Sequence, residues 1–257
     1  MSTVSAAAFF DLDRTLLRRS SALALAGTFR QRGLISRRQL AKAAAWQMLF
    51  ALRGASHESV RRAAEDGLIL LRGFRPEDMR DLVASAMEPI LRPLVYAESL
   101  RLVEQHRERG EPVFIVSATL QEIVEGIADE LGFDGALGTI CEVRDGVYTG
   151  HAVRALHAEN KAICIRELAA ERGFDLAACT AYSDSHTDVP FLEAVGHPVV
   201  VNPDRQLRRI ARDRDWPILE FDAQAYPHAR RRVPPLAWAA AGLFGAGFAA
   251  SRRRRGA

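Results

Sequence analysis

The stretch that most constrains this chain is Ala6-Ala7-Ala8-Phe9-Phe10-Asp11-Leu12-Asp13-Arg14-Thr15, close to its start. A short apolar run that stops abruptly at two carboxylates reads as a buried strand of a parallel sheet. A bare charge cannot be buried inside such a strand. The strand is therefore expected to end at about Phe10, leaving Asp11 and Asp13 at its carboxyl end. That is the edge where open α/β sheets bind ligands. Two acids on one strand tip repel each other unless a cation lies between them. The alternative is an ordinary strand end with two solvated acids, and three later segments decide between the two.

A chain of 257 residues is long enough for one large domain, or for one domain carrying an insertion. Cys141, Cys164 and Cys179 are odd in number and far apart. They suggest no disulfide framework, so a reducing compartment fits. No N-terminal signal segment is visible, and the body is expected in the cytoplasm. The formal net charge of +3 belongs to the tail. Beyond Asp222 lie seven arginines, and without them the body has 28 basic against 32 acidic residues. Nucleic-acid binding by the body is not suggested. Only Lys42 and Lys161 are lysines, which makes a lone lysine in an arginine-rich body worth following.

Residues 20–94 read as helical throughout, with Ser20-Ser21 expected to cap a first helix running to Arg32. Further helices are expected from Ser36 to Arg53, from His57 to Leu71 and from Pro76 to Leu91. This span is a helical module inserted after the first strand. A helix over 97–109 leads to a second buried strand, Pro112 to Thr119, ending in the hydroxyls of Ser117 and Thr119. A helix over 120–131 follows. Residues 136–149 alternate around Asp145-Gly146, a hairpin turn. A helix from Asn160 to Arg172, strands near Cys179–Ser183 and Val199–Val201, a helix from Asp204 to Asp213 and a strand near Ile218–Phe221 complete the body. Strands alternating with helices imply an α/β fold with a doubly wound parallel sheet.

Asp184 and Asp188 follow the third strand, at i, i+4 on a turn into a helix. Alone they would be capping acids of a helix start. Beside Asp11 and Asp13 they complete an acid cluster whose hard oxygens suit Mg²⁺. Ser117 offers a hydroxyl and a backbone N–H at a helix N-terminus, either a phosphate seat or a plain N-cap. Lys161, at the start of a helix, either supplies a positive charge to a phosphoryl group or is a surface lysine.

In this order, Asp11-Leu12-Asp13-Arg14-Thr15, Ser117, Lys161 and Asp184 with Asp188 resemble the haloacid dehalogenase (HAD) superfamily of aspartate-nucleophile phosphohydrolases, over about residues 6–222. The helical insertion and the run Tyr182 to Pro190 resemble its phosphoserine-phosphatase-like branch. The resemblance implies a core of residues 1–19 and 95–222 and a cap of residues 20–94. It implies Asp11 as nucleophile forming an aspartyl-phosphate, and Asp13 as general acid and base. It implies Mg²⁺ held by Asp11, the Asp13 carbonyl and Asp184. Ser117 and Lys161 would bind the phosphoryl oxygens, with Thr15 and Asp188 in support. A second acid at Asp13 favours phosphate chemistry over dehalogenation, which needs no acid for an alkoxide leaving group.

Phosphoserine enzymes of this branch carry a Glu nine residues after the nucleophile, and here that position is Ser20, preceded by Arg18 and Arg19. A hydroxyl cannot replace a carboxylate facing an ammonium, so a different and more anionic phosphomonoester ranks above phosphoserine. His186 is expected to be a loop residue and no catalytic base. Residues 233–251 carry no charge and have arginines on both sides. As a helix they would be about 28 Å long, enough to cross a hydrocarbon core. They either span a membrane, lie on an anionic surface, or pack or stay disordered in the tail. The spanning reading makes a lipid-linked substrate conceivable. The rival readings are a phosphoserine phosphatase of serine biosynthesis and an aspartate-phosphorylated signalling or non-catalytic binding protein.

Overall fold

In the computed structural model, the apolar run at the start of the chain is strand β1 (Ala8–Phe10), buried along its whole length. The structure describes residues 5–33, 38 and 67–222. These lie in one of the chain's two compact units, Met1–Tyr226, and the other, Pro227–Ala257, is outside the described residues. After β1 come α1 (Ser21–Gln31), α2 (Pro76–Ala86), α3 (Ala97–Glu108), β2 (Val113–Leu120), α4 (Gln121–Leu131), β3 (Gly135–Arg144) and β4 (Val147–Arg154). Then follow α5 (Glu159–Arg172), β5 (Thr180–Ser183), α6 (Val189–Leu192), β6 (His197–Val201), α7 (Arg205–Asp213) and β7 (Ile218–Leu219).

The seven strands form one sheet in the order β4-β3-β2-β1-β5-β6-β7. All neighbours are parallel except the β3–β4 hairpin. β1 pairs with β2 on one side and with β5 on the other, Phe10 opposite Ile115 and Tyr182. The chain thus winds outward in one direction through β2 and β3, then crosses to the other side of β1 at β5. A crevice opens at that reversal, at the carboxyl ends of the strands. Alternate residues of β1 feed opposite faces. Ala8 and Phe10 join one apolar cluster with Leu82, Val103 and Ile115, and Ala7 and Phe9 join another with Ile165, Phe191 and Val200. Phe10 stacks on Tyr182 at 4.4 Å between centroids. This two-sided burial explains why β1 has no polar alternation.

The hairpin turn is where the sequence places it. Asp145 and Gly146 both have left-handed backbones, φ 51° and 78°, the pair that a tight hairpin needs. β2 has the expected extent, and the difference is at Ser117. The strand runs on through Ser117 to Leu120, with its register to β3 shifting between Val116 and Leu120, and α4 starts only at Gln121. Ser117 therefore lies within the strand end and is no helix N-terminus. Gly138 explains why this end packs so closely. A Cβ there would lie 2.7 Å from the Gln121 Cα and 2.9 Å from the Thr119 carbonyl oxygen. Gly138→Ala is accordingly expected to cost about 1–3 kcal/mol in chemical denaturation, and an unchanged midpoint would show that the loop can yield.

The inserted segment leaves and rejoins the sheet at one point. Leu17 bridges Val95, Arg18 N–H donates to the Leu94 carbonyl at 2.8 Å, and Tyr96 N–H donates to the Leu16 carbonyl at 3.0 Å. The helix expected to reach Leu91 gives way after Ala86 to a π-helical turn over Met87–Leu91, where Pro89 has no N–H to continue the ladder. Apart from residue 38, the expected helix from Ser36 to Arg53, and that from His57 as far as residue 66, lie outside the described residues. So do residues 233–251. Among the described residues, no helix is long and apolar enough to cross a membrane.

Candidate active site

Asp11 stands one residue beyond β1, where its N–H donates to the Tyr182 carbonyl of β5 at 2.9 Å. Asp184 stands one residue beyond β5. The acids thus emerge side by side because their strands are neighbours in parallel register. Lys161, in the first turn of α5, is only 3% exposed. Its Nζ donates to Asp11 Oδ1 at 2.6 Å and to Asp188 Oδ2 at 2.7 Å. Ser183 Oγ donates to the same Asp188 oxygen at 2.7 Å. The lysine is therefore an internal cation between two buried carboxylates, the reading opposed to a surface lysine.

Electrostatics follow from burial. Desolvation pushes the Asp11 carboxyl up to about 7, against the pull of Lys161 and with the help of Asp188. Desolvation likewise raises Asp184 well above its ordinary value, with Asp11 adding to the rise and Arg14 opposing it. Burial alone would lower Lys161, but the Asp11 and Asp188 charges override it and hold the ammonium above its ordinary value. Asp13 is also raised by desolvation, against hydrogen bonds from the Ser21 backbone and the Ser21 and Ser20 hydroxyls. Ser21 N–H reaches Asp13 Oδ1 at 2.7 Å. The serine pair was expected to cap α1, yet Ser20 makes no side-chain cap bond. The two hydroxyls serve Asp13 instead, because the carboxylate lies against the helix start, where its charge is favoured.

Ser117 is buried at the same edge, two residues beyond the Ile115 that pairs with Phe10. Its Oγ accepts the Thr119 N–H at 3.1 Å, which leaves the hydroxyl proton to donate. Thr15 is buried, and its Oγ1 has no hydrogen-bond partner. His186 is engaged outside the acid cluster, its N–H and Nδ1 both 2.9 Å from Asp204 Oδ2. Asp204 also caps α7 and donates its N–H to the Asp184 carbonyl. Sequence reasoning missed Ser21, Thr119 and Ser183 as parts of the site. Thr119 Oγ1 lies 3.1 Å from Ser21 Oγ, joining the β2 end to α1. A signal existed only for Ser183, one residue before an acid at a strand tip.

A divalent cation has oxygen donors here. The Asp184 Oδ2 atom is buried and accepts no hydrogen bond, and the exposed Arg14 guanidinium 3.1 Å away gives it charge without a directed bond. Four carboxylates, Asp11, Asp13, Asp184 and Asp188, crowd around Lys161 and the exposed Arg14. Among the described residues no three His, Cys, Asp or Glu side chains group closely enough to hold a metal by themselves. The donors that fit are the Asp11 and Asp184 carboxylates with a backbone carbonyl such as that of Asp13, a hard-oxygen set.

Fold and site together define a hydrolase built on a doubly wound sheet, with its chemistry at the topological switch. The sequence profile of the haloacid dehalogenase-like hydrolases matches residues 8–193. The chain is 42% identical over 229 residues to an inhibition of morphological differentiation protein of Streptomyces azureus, covering 89% of this chain and 82% of that one. It is 36% identical to a phosphoserine phosphatase of Mycobacterium tuberculosis over 98% of this chain and 82% of the other. A solved structure of a Bordetella pertussis protein of unknown function superposes with a TM-score of 0.73 at 31% identity, covering 86% of this chain and all of that one (100%). The chain belongs to the haloacid dehalogenase-like hydrolases, and within them it is a phosphatase of the phosphoserine-phosphatase-like branch.

Proposed function

We propose that the chain is a Mg²⁺-dependent phosphomonoesterase that works through an aspartyl-phosphate on Asp11. The observation that carries this reading is the buried Asp11–Lys161–Asp188 bridge beside a buried Asp184 oxygen that accepts no hydrogen bond. Asp11 would attack phosphorus, forming a carboxylate oxygen–phosphorus bond while the bond to the ester oxygen breaks. Asp13, kept protonated more readily by burial, gives its proton to the departing oxygen. The alcohol leaves. Asp13 then takes a proton from water as that water attacks the phosphoryl group, releasing phosphate and restoring both acids. Lys161 and Ser117 hold the phosphoryl oxygens, and Asp188 with Ser183 keeps the ammonium in place. When bound by Asp11, Asp184 and a carbonyl, Mg²⁺ supplies charge neutralisation for the crowded acids and the transferring group.

Of the two arginines read as favouring an anionic ester, Arg18 donates Nη2 to the Pro93 carbonyl at 2.7 Å. It helps fasten the inserted segment, and Arg19 is left as the exposed cation of the pair. Ser20 bonds Asp13, which is no mimic of a carboxylate facing an ammonium. A phosphomonoester other than phosphoserine remains our reading. The specific rival is phosphoserine, the substrate named for the mycobacterial relative.

The test is phosphate release from a panel containing phosphoserine, histidinol phosphate, sugar phosphates and a phosphorylated lipid precursor, with Mg²⁺ and with chelator. Release that needs Mg²⁺ supports the reaction, and release unaffected by chelator would sink the metal reading. Asp13→Asn is expected to slow hydrolysis of alkyl phosphates by about 10²–10⁴-fold. The loss should be far smaller for p-nitrophenyl phosphate, whose leaving group needs little protonation. An equal loss on both would remove Asp13 from the role of acid.

A further inference from the structure

Arg14 is the one charged member of the Asp11–Thr15 run for which the reaction above has no use. Its backbone is left-handed, φ 67°, an uncommon state for a residue with a side chain. The turn is locked by Leu16 and Leu17, whose N–H groups both donate to the Leu12 carbonyl at 3.0 and 2.8 Å. The arginine side chain is 58% exposed, yet its Nε lies 3.1 Å from Asp184 Oδ2, in a carboxylate only 5% exposed. That same oxygen accepts no hydrogen bond. The guanidinium thus offers charge without a directed N–H···O bond. An arginine built to hold a carboxylate would make a forked or linear contact.

From this geometry we infer that Arg14 is an internal competitor for the divalent cation at Asp184. The inference rests on the metal reading above. The oxygen that a cation would take is the oxygen against which Arg14 stands. A half-exposed monovalent group without a directed bond is readily displaced by a divalent ion that binds the lone pair directly. The guanidinium compensates Asp184 until the ion arrives and then returns to solvent. It is a positioning residue, and its effect is on metal affinity.

Mg²⁺ binding to the full chain, followed by titration calorimetry at one fixed ionic strength, tests this. Asparagine tolerates left-handed backbone, so Arg14→Asn preserves the turn. It is expected to bind Mg²⁺ about fivefold more tightly than the natural chain. Arg19→Asn, which removes a charge from an exposed arginine nearby in sequence, should leave the affinity unchanged. Asp184→Asn should abolish binding. Unchanged or weaker binding in Arg14→Asn overturns the inference, and so does equal tightening in Arg19→Asn. In both cases Asp184-dependent binding would leave the metal reading standing. If neither the natural chain nor Arg14→Asn binds Mg²⁺, or if Asp184→Asn binds it as well as the natural chain, both readings fall.

Discussion

Asp11→Asn is expected to lower phosphate release on the order of 10⁴-fold or more, because an amide cannot form the acyl-phosphate bond. Binding should survive better than turnover, since Lys161 and Ser117 remain. The same variant reports the charge state of the site. Burial pushes Asp11 from its ordinary 3.8 to about 7. In chelator, the folded chain therefore keeps a proton on Asp11 that the unfolded chain releases near pH 4. Stability due to that proton is full below about pH 4 and is lost as pH rises through about 7. Asparagine has no such proton to lose. The melting temperature of Asp11→Asn relative to the natural chain should therefore climb between pH 4 and pH 7. A difference that is flat over that range would show that Asp11 is not raised.

Lys161→Met carries the largest expected cost in stability. Methionine preserves the stem, which packs with Nζ 5.5 Å from the Phe191 ring centroid. The substitution leaves Asp11 and Asp188 buried with no cation between them. Breaking a buried ion pair from one side costs about 3–5 kcal/mol, a large part of a typical folding free energy. Adding Asp188→Asn should restore part of it, because one unpaired charge is then gone. Activity should not return in the double variant, since the phosphoryl group would still lack its ammonium. Urea unfolding of the single and double variants decides this. Additive losses would mean that Lys161 and Asp188 act independently.

The order of elements and the acids at strand tips were legible because β1, β2 and β5 are buried on both faces and punctuated by polar residues. Lys161 was legible only by its rarity and its place in the motif order. Nothing local shows that its ammonium is buried, because a helix of mixed composition gives no clear buried face. Ser20 and Ser21 have the chemistry of a helix cap, and only the fold reveals that a carboxylate eight residues earlier accepts the Ser21 N–H. Ser117 read as a helix start for a similar reason. Ser117-Ala118-Thr119 looks like a cap, yet pairing of Val116 with Leu137 and of Leu120 with Thr139 keeps it extended. Arg18 read as a pocket cation because the Pro93 carbonyl that receives it is distant in sequence.

The central position of β1 also shapes how the molecule must fold. Its partners are Val113–Ile115 on one side and Thr180–Tyr182 on the other, so neither flank can form until much of the chain has been made. A strand of Ala and Phe must wait through that interval with both edges unpaired, the condition that invites misassociation. Such long-range parallel pairing is also slow. Asp11 is thus placed by strands far along the chain from it, and a nascent chain cut short before β5 would hold Asp11 without Tyr182, Asp184 or Asp188. Hydrolytic competence therefore emerges late in synthesis, as a property of the completed sheet and never of its N-terminal half.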